Sequence, residues 1–328
     1  MNANAHAPCF DDVLAAAARI APHAHVTPVL HTHALDELTG ATLAFKAEHL
    51  QRIGAFKFRG ACNAVWSLDD DNAARGVVTH SSGNHGAALA LAARGRGIPC
   101  HVVVPDGAVR AKLAAIEHYG AILHRCTPTI AAREALCAQV QANTGATSVH
   151  PYTDPRVIAG QGTAALELLT AHPDLDALVV PLGGGGLAAG TALAMRALAP
   201  NCQLYLAEPE GAADGARSFA KGALDHDFTP DTICDGLRGT LGAINFDILR
   251  AAGARVLTVD DAQVVAAMRL LWTRTKQLVE PSSATALAAV LAQRPLFEGR
   301  RVGIILSGGN VDLDALPALF AFATEARP

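Results

Sequence analysis

The chain has 328 residues, 51% of them hydrophobic, and a formal net charge of −4. That length can bury a large core and points to two lobes, while the near-neutral balance leaves no basic stripe for nucleic acid. No apolar run is long enough to cross a bilayer, no secretory signal is expected at Met1–Pro8, and the seven scattered cysteines form no Cys-x-x-Cys pair, so a cytoplasmic protein with reduced, mostly buried thiols is expected.

Asp11 or Asp12 can cap a helix running through Ile20, and Thr27-Pro28 ends it in a turn. The pairs His23/His25 and His31/His33 lack the spacing of a metal helix and read as surface residues. Thr42 to Glu48 alternates apolar and polar residues, as a half-buried strand does. Next comes Gly54-Ala55-Phe56-Lys57-Phe58-Arg59-Gly60-Ala61, with a helix expected from Phe58 to Leu68. Lysine is scarce in this chain, and this one stands between two phenylalanines near a helix start. Its stem can pack on apolar surface while its head reaches water. Alternatively the ammonium is desolvated, which favours the nucleophilic amine that a carbonyl compound captures as a Schiff base.

From Gly76 strand and helix alternate. Strands are expected at Val77–His80, Cys100–Val104, Ile122–Cys126 and Thr147–His150, with helices at Ala87–Arg94, Ala108–Tyr119 and Ala131–Ala142. This βα array has the size of a small lobe, spanning 76–148; residues 1–75 and 149–328 form the larger one. Further strands follow at Ala177–Pro181, Leu204–Ala207, Val256–Val259 and Val302–Leu306.

Ligands of parallel α/β sheets sit at the carboxyl ends of the strands. Small polar residues gather there: Ser81-Ser82-Gly83-Asn84-His85-Gly86, Gly183-Gly184-Gly185-Gly186-Leu187 and Ser307-Gly308-Gly309-Asn310. Successive backbone N–H groups of a glycine run converge on a phosphate at a helix start. The run lacks the Gly-Lys-Ser/Thr ending of a nucleoside triphosphate loop. The serine turn offers hydroxyls, an amide and N–H groups suited to a small carboxylate. With one reactive lysine, these turns describe a site for a phosphate-bearing aldehyde and an amino acid.

These motifs, with Val157–Gly162 and Ser307–Asp312, stand in the order found in serine/threonine dehydratases, and the chain resembles that family of fold-type II pyridoxal phosphate (PLP) enzymes. Catabolic threonine dehydratase, serine racemase and threo-3-hydroxyaspartate ammonia-lyase belong to the same branch. The resemblance implies an α/β fold of the tryptophan synthase β type, with two lobes, each a mainly parallel sheet flanked by helices. The larger lobe would bind the cofactor. It implies that Lys57 holds PLP, with Phe56 against its ring, Gly183, Gly184, Gly185, Gly186 and Leu187 around its phosphate, Asn84 at its hydroxyl and Ser307 at its nitrogen. Ser81, Ser82, Gly83, Asn84 and His85 would take the substrate carboxylate, with Ser82 on the face opposite Lys57. Glu208, the Ala212 carbonyl and Asp214 resemble a divalent-cation loop for Mg²⁺ or Ca²⁺. A homodimer and an amino-acid substrate are further implications.

The reaction expected is β-elimination from a 3-hydroxy-L-amino acid, L-threonine or L-serine first. Serine racemase and L-threo-3-hydroxyaspartate ammonia-lyase activities are the alternatives, and a non-catalytic phosphate-binding module is a distant third. Arg133 suits a second substrate carboxylate but reads more simply as a solvated helix residue. Ile53-Gly54-Ala55 departs from the Thr-Gly-Ser usual in relatives. Gly86-Ala87 lacks the glutamine of the mammalian nucleotide site, and Tyr152 replaces its asparagine. These departures count against nucleotide activation and towards dehydration.

Overall fold

The computed structural model describes residues 7–325 except 109 and 226. The strands among them are β1 (Val29–Leu30), β2 (Thr42–Lys46), β3 (Val77–Thr79), β4 (Cys100–Pro105), β5 (Ile122–Cys126), β6 (Thr147–Ser148), β7 (Ala177–Pro181), β8 (Gln203–Pro209), β9 (Arg255–Val259) and β10 (Arg301–Ile305). They form a six-stranded sheet, β1-β2-β10-β7-β8-β9, and a four-stranded sheet, β5-β4-β3-β6. Every pairing within these sheets is parallel except β1 with β2. Strands covered on both faces read as continuous apolar runs, and β7, with all five residues buried, is the clearest case.

The strand readings from sequence lie within a few residues of these elements. The first helix, Phe10–Ile20, differs at its cap: Cys9 is the N-cap, and Asp12 reaches back to the Cys9 N–H at 2.8 Å. The helix expected at Ala87 begins at Asn84, so Asn84 and His85 lie in its first turn. Glu208 lies inside β8 rather than in the loop beyond it.

The larger correction concerns β2. Only Thr42 is exposed; Lys46 lies just 1% exposed, and Glu48 beyond the strand is fully buried. The polar side of that alternation faces a second buried charge set instead of water. Arg59, on the helix Lys57–Trp66, donates to both Glu48 oxygens (2.7 and 2.8 Å) and to both Glu167 oxygens (2.7 and 2.8 Å). Lys46 Nζ donates to Glu167 and to the Thr27 carbonyl, and the Thr27 hydroxyl donates to Glu48. Two cations and two anions thus cancel within the core. Pairing and hydrogen bonding are the condition under which such charges tolerate burial.

Close helix contacts set the height of the lysine helix. The helix Pro155–Ala171 starts from Asp154, whose carboxylate accepts the Arg156 N–H, with proline at its first turn. A Cβ built on its Gly160 would lie 2.6 Å from the Gly60 Cα, and one on Gly190 2.5 Å from the Gly162 nitrogen. Lys57–Trp66, Pro155–Ala171 and Gly186–Leu198 therefore pack backbone to backbone. On its other side the lysine helix puts Phe58, Ala61, Cys62 and Val65 into the core around Val77, Leu89 and Val102 of the smaller sheet region. Lys57 thus sits where the two sheet systems meet.

Candidate active site

Lys57 is the first residue of its helix. The preceding loop holds two successive left-handed residues, Ile53 (φ 59°) and Gly54 (φ 72°). For a β-branched residue this conformation is strained, of order 1–3 kcal/mol, and neighbours hold it. The Ile53 carbonyl accepts from Asn310 Nδ2 at 2.7 Å, Gly309 N donates to the Gly54 carbonyl at 2.9 Å, and Phe56 N donates to the Ser307 carbonyl at 3.0 Å. The Ser307–Asn310 turn is thereby laced to the lysine loop.

The Lys57 Nζ donates to the Pro151 carbonyl at 2.9 Å and lies 5.2 Å from the centre of the Phe56 ring. Burial pushes its pKa down to about 8, against the opposing pull of the Glu280 carboxylate. At pH 7 roughly a tenth of the amine is then free, far more than for an ordinary lysine. The desolvated reading of Lys57 is the one the geometry carries.

Glu280 is the main residue the sequence reading missed. It is 4% exposed and serves as N-cap of the helix Pro281–Ala292. Its carboxylate accepts from Asn84 Nδ2 at 3.1 Å and from the Asn310 backbone N–H at 3.1 Å, and Asn310 Nδ2 donates to Asn84 Oδ1 at 2.9 Å. A Cβ on Gly308 would fall 2.7 Å from that carboxylate. Glu280 and Asn310 thus tie Asn84 to the Ser307 turn beside Lys57. A proline at the first helical position is a helix-start signal, but no local signal relates Glu280 to a lysine so distant in sequence.

The serine turn follows β3. Ser81, Ser82 and Gly83 are half-buried, and the chain folds so tightly that a Cβ on Gly86 would meet the Ser81 carbonyl at 2.0 Å. His85 is buried, with Nε2 at 3.3 Å from the Val149 carbonyl. Burial first, then the Lys57 charge, lowers its pKa well below the usual value. Burial, His80 and Lys57 likewise push His150 down to about 4. His150 Nδ1 accepts from the Thr153 and Tyr152 N–H groups, so its ring proton resides on Nε2. The His150 ring stands edge-on to both His80 and Tyr152, at 5.2 and 4.6 Å between centres.

The glycine run reaches the lysine through Tyr152. A Cβ on Gly184 would lie 2.4 Å from the Tyr152 ring, and one on Gly183 2.9 Å from the Leu237 Cα. Gly185, at φ 89°, is the N-cap of the helix Gly186–Leu198, and Leu187 is buried in its first turn. Asn245 Nδ2 clamps this arrangement by donating to the Tyr152 and Gly184 carbonyls at 2.9 and 2.6 Å. Lys57, Phe56, Asn84, His85, Ser307 and the glycine run therefore converge. The result is a desolvated amine, a turn of free backbone at a helix start, and a second polar turn at another.

Arg133 departs from the solvated reading. It is half-buried, and its Nε is buried without a hydrogen-bond partner among the described residues. Burial lowers the His80 pKa, with the Arg133 charge contributing and the neighbouring Glu134 charge opposing, so both helix residues lie within electrostatic reach of that histidine.

Glu208, Ala212 and Asp214 lie apart from the lysine. The Glu208 oxygens accept from the Gly215 and Ala216 N–H groups at 2.9 and 2.8 Å, and Asp214 Oδ2 accepts from Leu241 N at 2.8 Å. Burial, with the neighbouring Asp214 charge contributing, pushes Glu208 up to about 8.

Residues 20–308 match the family model described as pyridoxal-phosphate dependent enzyme. The chain belongs to the fold-type II PLP-dependent enzymes. It is 49% identical to the beta-hydroxyaspartate dehydratase of Paracoccus denitrificans, over 94% of this chain and 98% of that protein. It is 44% identical to the L-threo-3-hydroxyaspartate ammonia-lyase of Saccharomyces cerevisiae, over 96% and 97% of the two chains. Among solved structures, maize serine racemase superposes with a TM-score of 0.93 at 42% identity, covering 98% of this chain and 99% of that one. The site of this PLP enzyme fits its cofactor: the glycine cradle has no room for side chains, and burial lowers the Lys57 amine to about 8. In this PLP enzyme no described helix is long and apolar enough to cross a membrane.

Proposed function

We propose that the protein eliminates the β-hydroxyl of a 3-hydroxy-L-amino acid, releasing a 2-oxo acid and ammonia. The observation carrying this reading is the desolvated Lys57 amine facing the glycine cradle across Tyr152. PLP, when bound, supplies the electrophilic carbonyl and the electron sink. Lys57 would hold it through Nζ, Gly183 to Leu187 its phosphate, Asn84 its hydroxyl and Ser307 its pyridine nitrogen. The Ser81–His85 turn orients the substrate α-carboxylate through backbone N–H groups at a helix start. Once free, Lys57 Nζ takes the proton from substrate Cα as general base. His80, His85 and His150, all with lowered pKa values, add little positive charge around that amine at neutral pH, so its lowered pKa comes from burial and not from charge repulsion. Residues 1–75 and 149–328 would act as the cofactor lobe, 76–148 as the substrate lobe, in a cytoplasmic homodimer.

Of the candidate substrates, L-threo-3-hydroxyaspartate has the best support. Arg133 offers a buried Nε without a hydrogen-bond partner among the described residues, within electrostatic reach of His80, and two relatives carry hydroxyaspartate in their names. A guanidinium suits the second carboxylate of that substrate, whereas L-threonine and L-serine leave it unused. Arg133→Leu is expected to lower kcat/KM for L-threo-3-hydroxyaspartate by about 10²-fold or more, from loss of a desolvated charge pair, with little change for L-serine. Keto acid, ammonia and enantiomer ratio are measured together on each hydroxy amino acid. Equal losses on all substrates would remove Arg133 from substrate recognition. D-enantiomer forming faster than keto acid would make the protein a racemase.

Glu208 and Asp214 support a divalent cation. Both are buried, the Asp214 charge adds to the cost of ionising Glu208, and their hard oxygens suit Mg²⁺ or Ca²⁺ together with the Ala212 carbonyl. Such an ion would brace the glycine run, because Leu241 accepts no slack: its N–H is held by Asp214, and its side chain touches Gly185. Exhaustive chelation is expected to lower the melting temperature and Mg²⁺ to restore it, with Asp214→Ala abolishing the response. A dialysed protein indifferent to both would end the assignment.

A further inference from the structure

A cavity of about 310 Å³ opens between the helix Phe10–Ile20, the end of the helix Lys57–Trp66 and the start of the helix Pro155–Ala171. None of its lining residues belongs to the PLP cleft described above. Asp12, Arg19, Asn63, Ser67 and Arg156 supply its polar lining.

We infer that this cavity binds a small carboxylate or phosphate anion, with Arg19 and Arg156 as its principal donors. Arg19 has no acidic partner among the described residues; its Nη1 donates to Asn63 Oδ1 at 2.6 Å. Asn63 is buried and donates in turn to the Arg156 carbonyl at 2.7 Å. That relay holds the Arg19 head over the cavity, so little rotamer freedom is lost when an anion arrives. Arg156 is fixed from the other side, with Nε and Nη2 on the Asp154 carboxylate at 2.9 and 2.5 Å. Its Nη1 takes no part in those bonds. Two anchored guanidinium groups at one cavity make a planar donor set that carboxylate and phosphate oxygens match.

The charges set the ligand class. Asp154 offsets Arg156, and Asp12 in the lining, whose Oδ2 accepts the Cys9 N–H, offsets the Arg19 charge at longer range. The balance leaves two guanidinium donors in a nearly neutral lining, which suits an anion of low charge and not a polyphosphate. The volume is near the lower end of small-ligand pockets, roughly 300–1,000 Å³, and its Ala15 and Ala159 walls accept a short carbon skeleton.

Trp66 provides the readout. It precedes Ser67 in the chain and stacks on His23, with ring centres 4.0 Å apart. The PLP-loaded enzyme, whose phosphate cradle is already filled, is titrated with inorganic phosphate and separately with acetate, at ionic strength held constant with sodium chloride. A saturable change in tryptophan emission is expected, and the ion that saturates first tells phosphate from carboxylate. Arg19→Ala is expected to raise the half-saturating concentration roughly tenfold or more, with Arg19→Lys in between. Ala15→Glu, which places an acidic chain at the exposed rim without touching the hydrogen-bond relay, should block binding even if the arginine variant folds poorly. A response that never saturates, or one that both Arg19→Ala and Ala15→Glu leave unchanged, overturns the site. These outcomes are independent of the reaction at Lys57.

Discussion

Replacing Lys57 by alanine is expected to reduce elimination roughly 10⁴-fold or more, since the same amine would hold the cofactor and move the Cα proton. The fold should survive, because Lys57 makes one hydrogen bond, to the Pro151 carbonyl, and belongs to no ion pair among the described residues. Activity and melting temperature measured together separate the two effects. Ser82→Ala is expected to affect D-serine turnover more than elimination from the L-substrate, whereas Lys57→Ala abolishes both. Borohydride reduction of the loaded wild-type protein should place the pyridoxyl group on Lys57; a label on Lys46, Lys112, Lys221 or Lys276 would contradict the assignment. The pH dependence gives an independent check. With a pKa near 8, the neutral amine fraction climbs about tenfold from pH 7 to 9 and then levels. An ordinary lysine would still be gaining free amine beyond pH 10. Capture of PLP by the cofactor-free protein should follow the first curve.

The second large effect is on stability. Glu48→Ala is expected to cost about 3–5 kcal/mol, the usual penalty for leaving a buried cation short of its partner. Arg59 is 1% exposed and Glu48 fully buried, so water cannot replace the lost oxygens. The Glu48 pKa is lowered: burial works to raise it, but the Arg59 charge and hydrogen bonds outweigh that cost. Its contribution is therefore complete above the ordinary carboxylate pKa and is lost as pH falls below it. Denaturant unfolding at pH 7 and at pH values well below the ordinary carboxylate pKa should show the wild type approaching the variant as Glu48 protonates. A loss under about 1 kcal/mol at pH 7 would mean that Arg59 is held by Glu167 alone. Because Arg59 lies two residues beyond Lys57, the variant is also expected to loosen the helix start that presents the amine.

Features demanding a particular backbone were plain in the amino-acid order. The glycine run, the Ser-Ser-Gly turn and the apolar strand β7 each need certain residues locally, because a side chain would fill the cradle or water would oppose the strand. Boundaries drifted by a few residues, as at Asn84, where the N-cap is Gly83, which has no side chain to cap the helix. The alternation in β2 misled for a physical reason. A polar residue facing a buried counter-charge has the same period as one facing water.

The sequence by itself determined the family and its cofactor class, and it singled out the lysine proposed to carry the cofactor and the two turns at the strand ends. These depend on short stretches whose chemistry is complete within a few residues. Tertiary structure alone decided the environment of each charge. Glu280 became part of the lysine site and Arg59 found two carboxylates, each through partners far away in the chain, and the Arg133 Nε became buried. Burial and Coulomb interaction depend on distance in space, and parallel strands with long crossovers bring together residues that no local pattern connects.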